Sequence, residues 1–238
     1  MNQNKTTKYF KYAIGEIILV VIGILIALQI NNWNETKKND IKLKTYILEF
    51  KNDLTINLLI FDDEIKRATE RIDNNNGLLK TKNFSSIPAD SLEKKIETFY
   101  INFDTKNFVY ESFKNSQITE YGVYDSIVRD MQEYYIWIYS DITDYVKQHN
   151  NSVDLADNYW RYVQNDYEFR YDNDAETSYQ TEEERKEKLI KLIHNPKTRN
   201  ILKIDNRKKR QFIDRIKAYK LITQGNIDLI NKTLKLNY

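Results

Sequence analysis

Residues 13–30, AIGEIILVVIGILIALQI, are the one stretch of this 238-residue chain that water rejects. Eighteen residues at 1.5 Å each make roughly 27 Å of helix, close to the hydrocarbon thickness of a bilayer. The stretch has no proline and only two strongly polar side chains, Glu16 and Gln29. Tyr9, Phe10 and Tyr12 flank it on one side and Trp33 on the other, where amphipathic rings favour the headgroup region. The stretch predicts a transmembrane helix, with the lipid bilayer as its partner.

A cleaved signal peptide is the competing reading. Lys5, Lys8 and Lys11 would form its basic end and Ile17–Leu28 its apolar run. The residues that follow, Gln29-Ile30-Asn31-Asn32-Trp33-Asn34, offer no small pair for a peptidase, and Glu16 stands where a signal peptide is apolar. An uncleaved anchor fits better. Within it, Gly23 and Ala27 form a small-x-x-x-small pair, with Gly15 eight residues earlier; this face allows close approach of a second span. Glu16 borders that face, and lies only one turn inside Tyr12, where headgroups and lysines can keep it hydrated. Lysine counts on the two sides are nearly equal, so charge alone does not orient the helix.

The rest of the composition points to helices. Only five glycines and two prolines occur, too few to punctuate a β-sandwich or an α/β enzyme. There are no cysteines, which removes disulfide and thiol chemistry. A formal charge of +2 supplies no global field for nucleic acid.

Beyond the anchor the chain resolves into amphipathic stripes. Leu43, Ile47, Phe50, Leu54, Leu58, Phe61, Ile65, Ala68 and Ile72 recur at a mean step near 3.6, the helical period. No proline or glycine separates Gly23 from Gly77, so the anchor can run straight into this helix. Asn31, Asn32 and Asn34 are the expected weak point, and Asn74-Asn75-Asn76-Gly77 the expected end. A polar loop over Lys82–Ile87 precedes a short helix over Asp90–Tyr100. Asn102–Asn107 reads as a loop and Phe108–Asn115 as another short helix.

The longest stripe follows: Ile127, Met131, Tyr134, Ile138, Ile142, Tyr145, His149, Val153, Ala156, Trp160, Val163 and Tyr167. Residues 172–180 read as an acidic loop. Thr181 and Glu184 form a capping box ahead of Leu189, Ile190 and Ile193. Asn195-Pro196 then breaks that helix, and a last helix is expected over about Arg207–Leu236. It would turn Phe212, Ile216, Tyr219, Ile222, Ile227, Ile230 and Leu234 inward.

Few residues suggest chemistry. His149 and His194 are the only histidines, and neither has the Glu-x-x-His partner of a carboxylate-bridged metal site. His149 falls on an apolar stripe, as a hydrogen-bonded core histidine does. His194 suits a helix C-terminus, where a cation is favoured. Arg207-Lys208-Lys209-Arg210, with Arg199 and Lys203, reads as the exposed first turns of a helix rather than a phosphate site. The concentration of rings from Tyr134 to Tyr171 is more suggestive. Tyr135, Trp137, Tyr139, Tyr159 and Tyr162 lie off the stripe, where exposed aromatics would suit a protein partner.

One resemblance adds to this. The run Lys8-Tyr9-Phe10-Lys11-Tyr12-Ala13-Ile14-Gly15-Glu16, continued by Val20-Val21-Ile22-Gly23-Ile24-Leu25-Ile26-Ala27-Leu28-Gln29-Ile30-Asn31-Asn32-Trp33-Asn34-Glu35, resembles the signature of an uncharacterised family. Its members are single-span envelope proteins of Bacteroidetes-type bacteria, with a domain of unknown function. Tyr110-Glu111-Ser112-Phe113-Lys114-Asn115-Ser116 is similar to a second family segment, although Gln117 stands where that family usually has glycine. The resemblance implies an inner-membrane protein with a cytoplasmic N-terminus and a periplasmic remainder, and no activity.

The sequence therefore predicts an all-α chain in three parts. A basic tail over 1–12 precedes a transmembrane helix over 13–30. Residues 31–238 form an antiparallel helical bundle of three long helices and several short ones. The expected role is a non-enzymatic interaction or structural module of the envelope, with a protein partner or a second copy and no cofactor, metal or nucleic acid. The alternative is a sensory or ligand-binding bundle that signals through another membrane protein.

Overall fold

The computed structural model describes residues 3–96, 98–101, 107–170 and 179–236, with side chains from Tyr12 onward. All regular structure among them is helical. Helix α1 is a single element over Gln3–Lys80, 78 residues and so about 117 Å long. Its apolar third continues into its amphipathic part without interruption. The asparagines at 31, 32 and 34 do not break it, because leaving a helix in mid-run sacrifices hydrogen bonds on both sides of the break.

The tract at 74–77 does not end α1 either. Asn75 donates to the side chains of Asp205 (2.8 Å) and Asn206 (2.9 Å), and Asn76 accepts from Asn206 (3.0 Å). Side chains engaged across an interface no longer compete for their own backbone. The rod stops one turn later, where Thr81 bonds back to the Gly77 carbonyl.

Short helices α2 (Ala89–Ile96) and α3 (Phe108–Lys114) follow. Helix α2 lies at the far end of α1. The chain then returns antiparallel to a later helix: Thr98, Tyr100 and Ile101 bond to Asp157, Asp154 and Asn150 in turn. The expected loop over 102–107 lies largely outside the described residues. Helix α3 packs low on α1, with Phe113 edge-on to Tyr46. A single 3₁₀ turn, Gly122–Tyr124, then opens the second long helix.

That helix is built from α4 (Asp125–Glu133) and α5 (Tyr139–Asn158), joined by a π turn at Tyr134–Ile138 and ended by another at Tyr159–Val163. Tyr167, expected to close its stripe, sits beyond it, where Gln164 ties the chain into a tight loop. Helix α6 (Glu182–His194) starts on the anticipated capping box, with Thr181 and Glu184 exchanging hydrogen bonds.

Helix α7 spans Pro196–Leu234, eleven residues earlier than the sequence predicts. Proline at 196 ends α6 and also starts α7, since a first-turn residue needs no amide donor. Asn195 caps the new helix by accepting from the Lys197 amide at 2.9 Å. Its early turns bury Thr198, Leu202 and Asn206, too polar a set to read as an apolar stripe.

The long helices do not simply alternate in direction. Helix α7 descends against α1, with Leu79 by Arg199, Asn75 by Asn206 and Asp62 by Lys220. It also descends against α4–α5, pairing Thr223 with Tyr134 and Arg215 with Asp141. Helices α1 and α4–α5 therefore run the same way: residues 98–101 lie beside the upper part of α5, and residues 107–124 lie low on α1, where α4 begins. The main apolar core lies between them, from Leu43 to Ile72 on α1 and Phe212 to Ile230 on α7. Thr223 takes the inward place and Ile222 is exposed. A second core at the far end gathers Leu78, Phe84, Leu92, Trp160, Leu189 and Leu202.

Gln117 adopts a left-handed backbone, φ 57°, after α3. The turn that glycine would make is thus kept by a residue that makes it at a cost. Left-handed geometry costs a side-chain-bearing residue roughly 1–2 kcal/mol, against glycine's extra unfolded-state entropy of about 0.5–1 kcal/mol. Gln117 is exposed and has little packing to lose. Gln117→Gly should raise stability by about 0.5–1 kcal/mol, read as a higher urea midpoint for the purified chain; a lower midpoint would show that the side chain contributes contacts.

Candidate functional site

Two regions stand out: the uncovered part of α1 and the polar groups buried along the rest of it. From Tyr12 to Lys42 every residue of α1 is exposed, and the first buried residue is Leu43. Its apolar window is long and apolar enough to cross a membrane, and none of it is covered by the rest of the chain. A Cβ added at Gly15 or Gly23 would meet no atom within 4 Å, so the face shared with Glu16 and Ala27 makes no contact inside this chain. At the upper margin Trp33 is exposed, with the Lys37 ammonium 5.3 Å above its ring. The side chains of Tyr9 and Phe10 lie outside the described residues.

The aromatic surface expected on the second long helix divides. Trp137 and Tyr162 are 71% and 79% exposed, and Tyr139 is half-buried. Tyr135 and Tyr159 are buried instead. Each lies in a π turn, where the wider turn breaks the 3.6-residue register and lets two successive side chains face inward. Tyr135 stacks on Tyr110 at 5.2 Å and donates to Asp53 at 2.8 Å. Tyr159 packs on Trp160, with Lys197 4.6 Å above its ring. A period-based reading has no access to such an inserted residue.

Several polar groups are buried where the stripes suggest only hydrocarbon. Asn57, on the inner face of α1 between Leu54 and Phe61, donates to the Tyr134 hydroxyl at 3.1 Å; Thr223, whose own proton goes to the Tyr219 carbonyl at 2.7 Å, lies 3.3 Å from the same hydroxyl and can accept from it. Higher up, Asn75, Asn206, Asp205 and Lys209 form a second polar layer. Lys209 belongs to the basic run 207–210, which is not the start of α7 but its fourth turn. Its ammonium is buried against Asp205, and burial pulls its pKa down.

In the distal core the Arg185 guanidinium is fully buried. It reaches Glu93 (2.9 Å), Asp90 (3.1 Å) and Glu182 (2.7 Å), while the Tyr167 hydroxyl bonds to Glu93. This arrangement fastens α2, the loop at 164–170 and α6. Inward asparagines at 57 and 75 were the available sequence signal for the first two layers; the Arg185 cluster joins residues too far apart to announce itself.

Between α1, residues 99–101 and α7 lies a cleft of about 280 Å³ lined by Glu64, Arg67, Arg71, Phe99 and Lys209. Arg71 stacks on Phe99, 3.6 Å from the ring centre. Burial raises the Glu64 pKa. Among the described residues no three His, Asp or Glu side chains converge closely enough to hold a metal ion.

His149 is buried beside this layer, with Nε2 3.4 Å from the Phe99 carbonyl and Nδ1 unpartnered. The contact with a carbonyl assigns the proton to Nε2. Burial, then the Lys209 charge, hold its pKa at about 4. His194 is exposed in the last turn of α6, its ring 5.5 Å from Phe84.

A histidine neutral in the fold but protonated in the unfolded chain weakens the fold as acid is added. Its contribution is constant above pH 6.5 and is lost as pH falls from 6.5 to 4, at no more than about 1.4 kcal/mol per pH unit. Urea unfolding of wild type and His149→Gln across that range should therefore give curves that converge as pH falls. Parallel curves would mean that His149 does not titrate in this way.

No curated protein and no solved structure matches this chain. A family pattern does match, over residues 16–150, more than half of the chain and including most of the apolar window. The chain belongs to the family of unknown function DUF6090.

Proposed function

We propose that this protein is a single-span membrane anchor carrying a helical bundle, in which α7 runs against both α1 and α4–α5, and that it serves as an interaction or structural module of the bacterial envelope. One observation carries the reading. From Tyr12 to Trp33, α1 leaves its apolar side chains uncovered around the whole helix, whereas from Leu43 onward the same helix buries one face. A helix apolar all round needs a nonaqueous surround. The bilayer supplies it, since a helix satisfies every backbone group internally. Trp33, with Lys37 over its ring, sits where an interfacial anchor belongs.

In this reading the N-terminus is cytoplasmic and residues 31–238 are periplasmic, in the inner membrane. The uncovered helix supports the anchor; the orientation rests on the resemblance of residues 8–35. Gly15, Gly23 and Ala27, beside Glu16, are the face for self-association. A second reading, a ligand-binding bundle that signals through a partner, draws on the half-buried cleft beside Lys209 and on the unbroken α1 beneath it.

Two measurements test the proposal. The chain should stay in the membrane pellet through alkaline carbonate washing, and alkaline phosphatase fused after Tyr238 should be active. Release by carbonate removes the anchor, and an inactive but intact fusion reverses the topology. Gly23→Ile meets no internal neighbour and so leaves the fold intact. It should lower in-membrane crosslinking of two copies at least fivefold. Unchanged crosslinking removes the glycine face from the argument.

A further inference from the structure

Helices α5 and α7 leave a groove of about 240 Å³ between them, near the end of the molecule farthest from the anchor. Ala156 and the Tyr159 ring form its floor. Leu155 and Ile204 form its rims, and they are 73% and 53% exposed. Two large aliphatic side chains facing each other across an apolar trough is an arrangement the core does not need.

The charges at this groove have one uncommitted sign. Lys197 and Lys208 line its mouth. Asp205 also lines it, but its carboxylate already accepts from Asn75 and pairs with Lys209. On α5, Asp154 accepts from Tyr100, and Asp157 accepts from Thr98 and pairs with Arg161. The neighbouring acids are thus engaged, whereas Lys208 has no acidic partner among the described residues and Lys197 rests on the face of the Tyr159 ring, a contact that leaves its charge uncompensated, so both ammonium groups can meet an incoming anion.

Height decides the source of that anion. The groove lies level with Asn75–Leu79 of α1, through the Asn206 and Arg199 contacts. At 1.5 Å per residue, Asn75 stands roughly 68 Å beyond Ile30. That is several Debye lengths at physiological salt, so headgroups of the anchoring bilayer are out of reach. The volume falls below the roughly 300–1,000 Å³ of small-molecule sites and suits one or two large side chains. A trough between two antiparallel helices receives a third helix by its apolar anchors.

We propose that this groove docks an amphipathic helix of a partner protein, with apolar anchors seated between Leu155 and Ile204 and flanking acidic side chains meeting Lys197 and Lys208. This rests on the reading of the protein as an interaction module and names the kind of partner it takes.

The test uses the full chain in lipid nanodiscs. The probe is a fluorescein-labelled three-turn helical peptide with leucines at i, i+4 and i+7 and glutamates beside them. A second peptide carries lysines in place of the glutamates. Anisotropy should show the glutamate peptide binding at least tenfold tighter, with the preference shrinking as salt rises. Leu155→Glu and Ile204→Glu, both at exposed positions, should each weaken it at least tenfold. Leu221→Glu, at an equally exposed leucine elsewhere on α7, should not. Lys197→Glu combined with Lys208→Glu should reverse the preference.

Equal binding of the two peptides, or indifference to Leu155→Glu and Ile204→Glu, overturns the proposal. So does a dimer in sedimentation that Leu155→Glu dissolves, which assigns the groove to a second copy. A chain that binds the peptide yet washes off in carbonate keeps the groove and loses the anchor. A chain that resists carbonate and ignores the peptide keeps the anchor alone.

Discussion

The continuity of α1 is the constraint on which the rest of the structure depends. One helix, hydrogen-bonded from Gln3 to Lys80, meets two surroundings along its length. Its first part is uncovered on all sides; its second part is one wall of both cores. Every other long element is placed relative to it. Helix α7 descends along it for most of its own length, and α4–α5 fills the remaining side. No proline and no unsatisfied backbone turn marks the change of surroundings. Side-chain character alone makes the transition, between Ile30 and Leu43.

Long helices packed on one another face a hazard that short ones do not. A stripe of Leu, Ile and Phe at period 3.6 fits its partner almost as well after a slip of one turn. The buried polar layers answer that hazard. In the native register Asn57 meets Tyr134, with Thr223 on the same hydroxyl, and Asn75 meets Asn206 and Asp205. Each satisfied bond contributes only about 1 kcal/mol, whereas a buried polar group left unpaired costs about 1–3 kcal/mol. A one-turn slip leaves several unpaired together. The layers thus add little to stability in the correct register and a great deal against the wrong one, as single buried asparagines do in coiled coils.

The helices were legible because their cores repeat with the helical period, and Leu43 to Ile72 and Phe212 to Ile230 lie inside where that period puts them. The capping box at Thr181 was legible because it is local. What escaped had specific causes. Helix α7 begins early because Pro196 both ends and starts a helix, and because Thr198 and Asn206 hide an inward face among polar residues. Tyr135 and Tyr159 turn inward at π turns, which add a residue without altering composition. Of the candidate sites, the apolar window was plain because it is contiguous. The groove was not, since Leu155 and Ile204 are unremarkable apart and meaningful only when α5 and α7 bring them together.

The two ends of the molecule are joined along α1. Twelve residues, about 20 Å of helix, separate Ile30 from Leu43, and the segment around Gln117–Gly122 lies beside this stretch without burying it. Above it the three long helices are locked by two polar layers, and the distal core is fastened by Arg185 to groups from α2, the 164–170 loop and α6. Between the α5–α7 groove and Leu43 the described helices are thus tied together at several heights. The stretch above the apolar window stays exposed along its whole length, with only the 117–122 segment beside it. That stretch is itself unbroken helix, so in the proposed reading no loop separates the body from the anchor. In the proposed reading, a groove far from the bilayer and a packing face within it are carried by one bundle and one helix, so α1 is the element through which the two can act on each other.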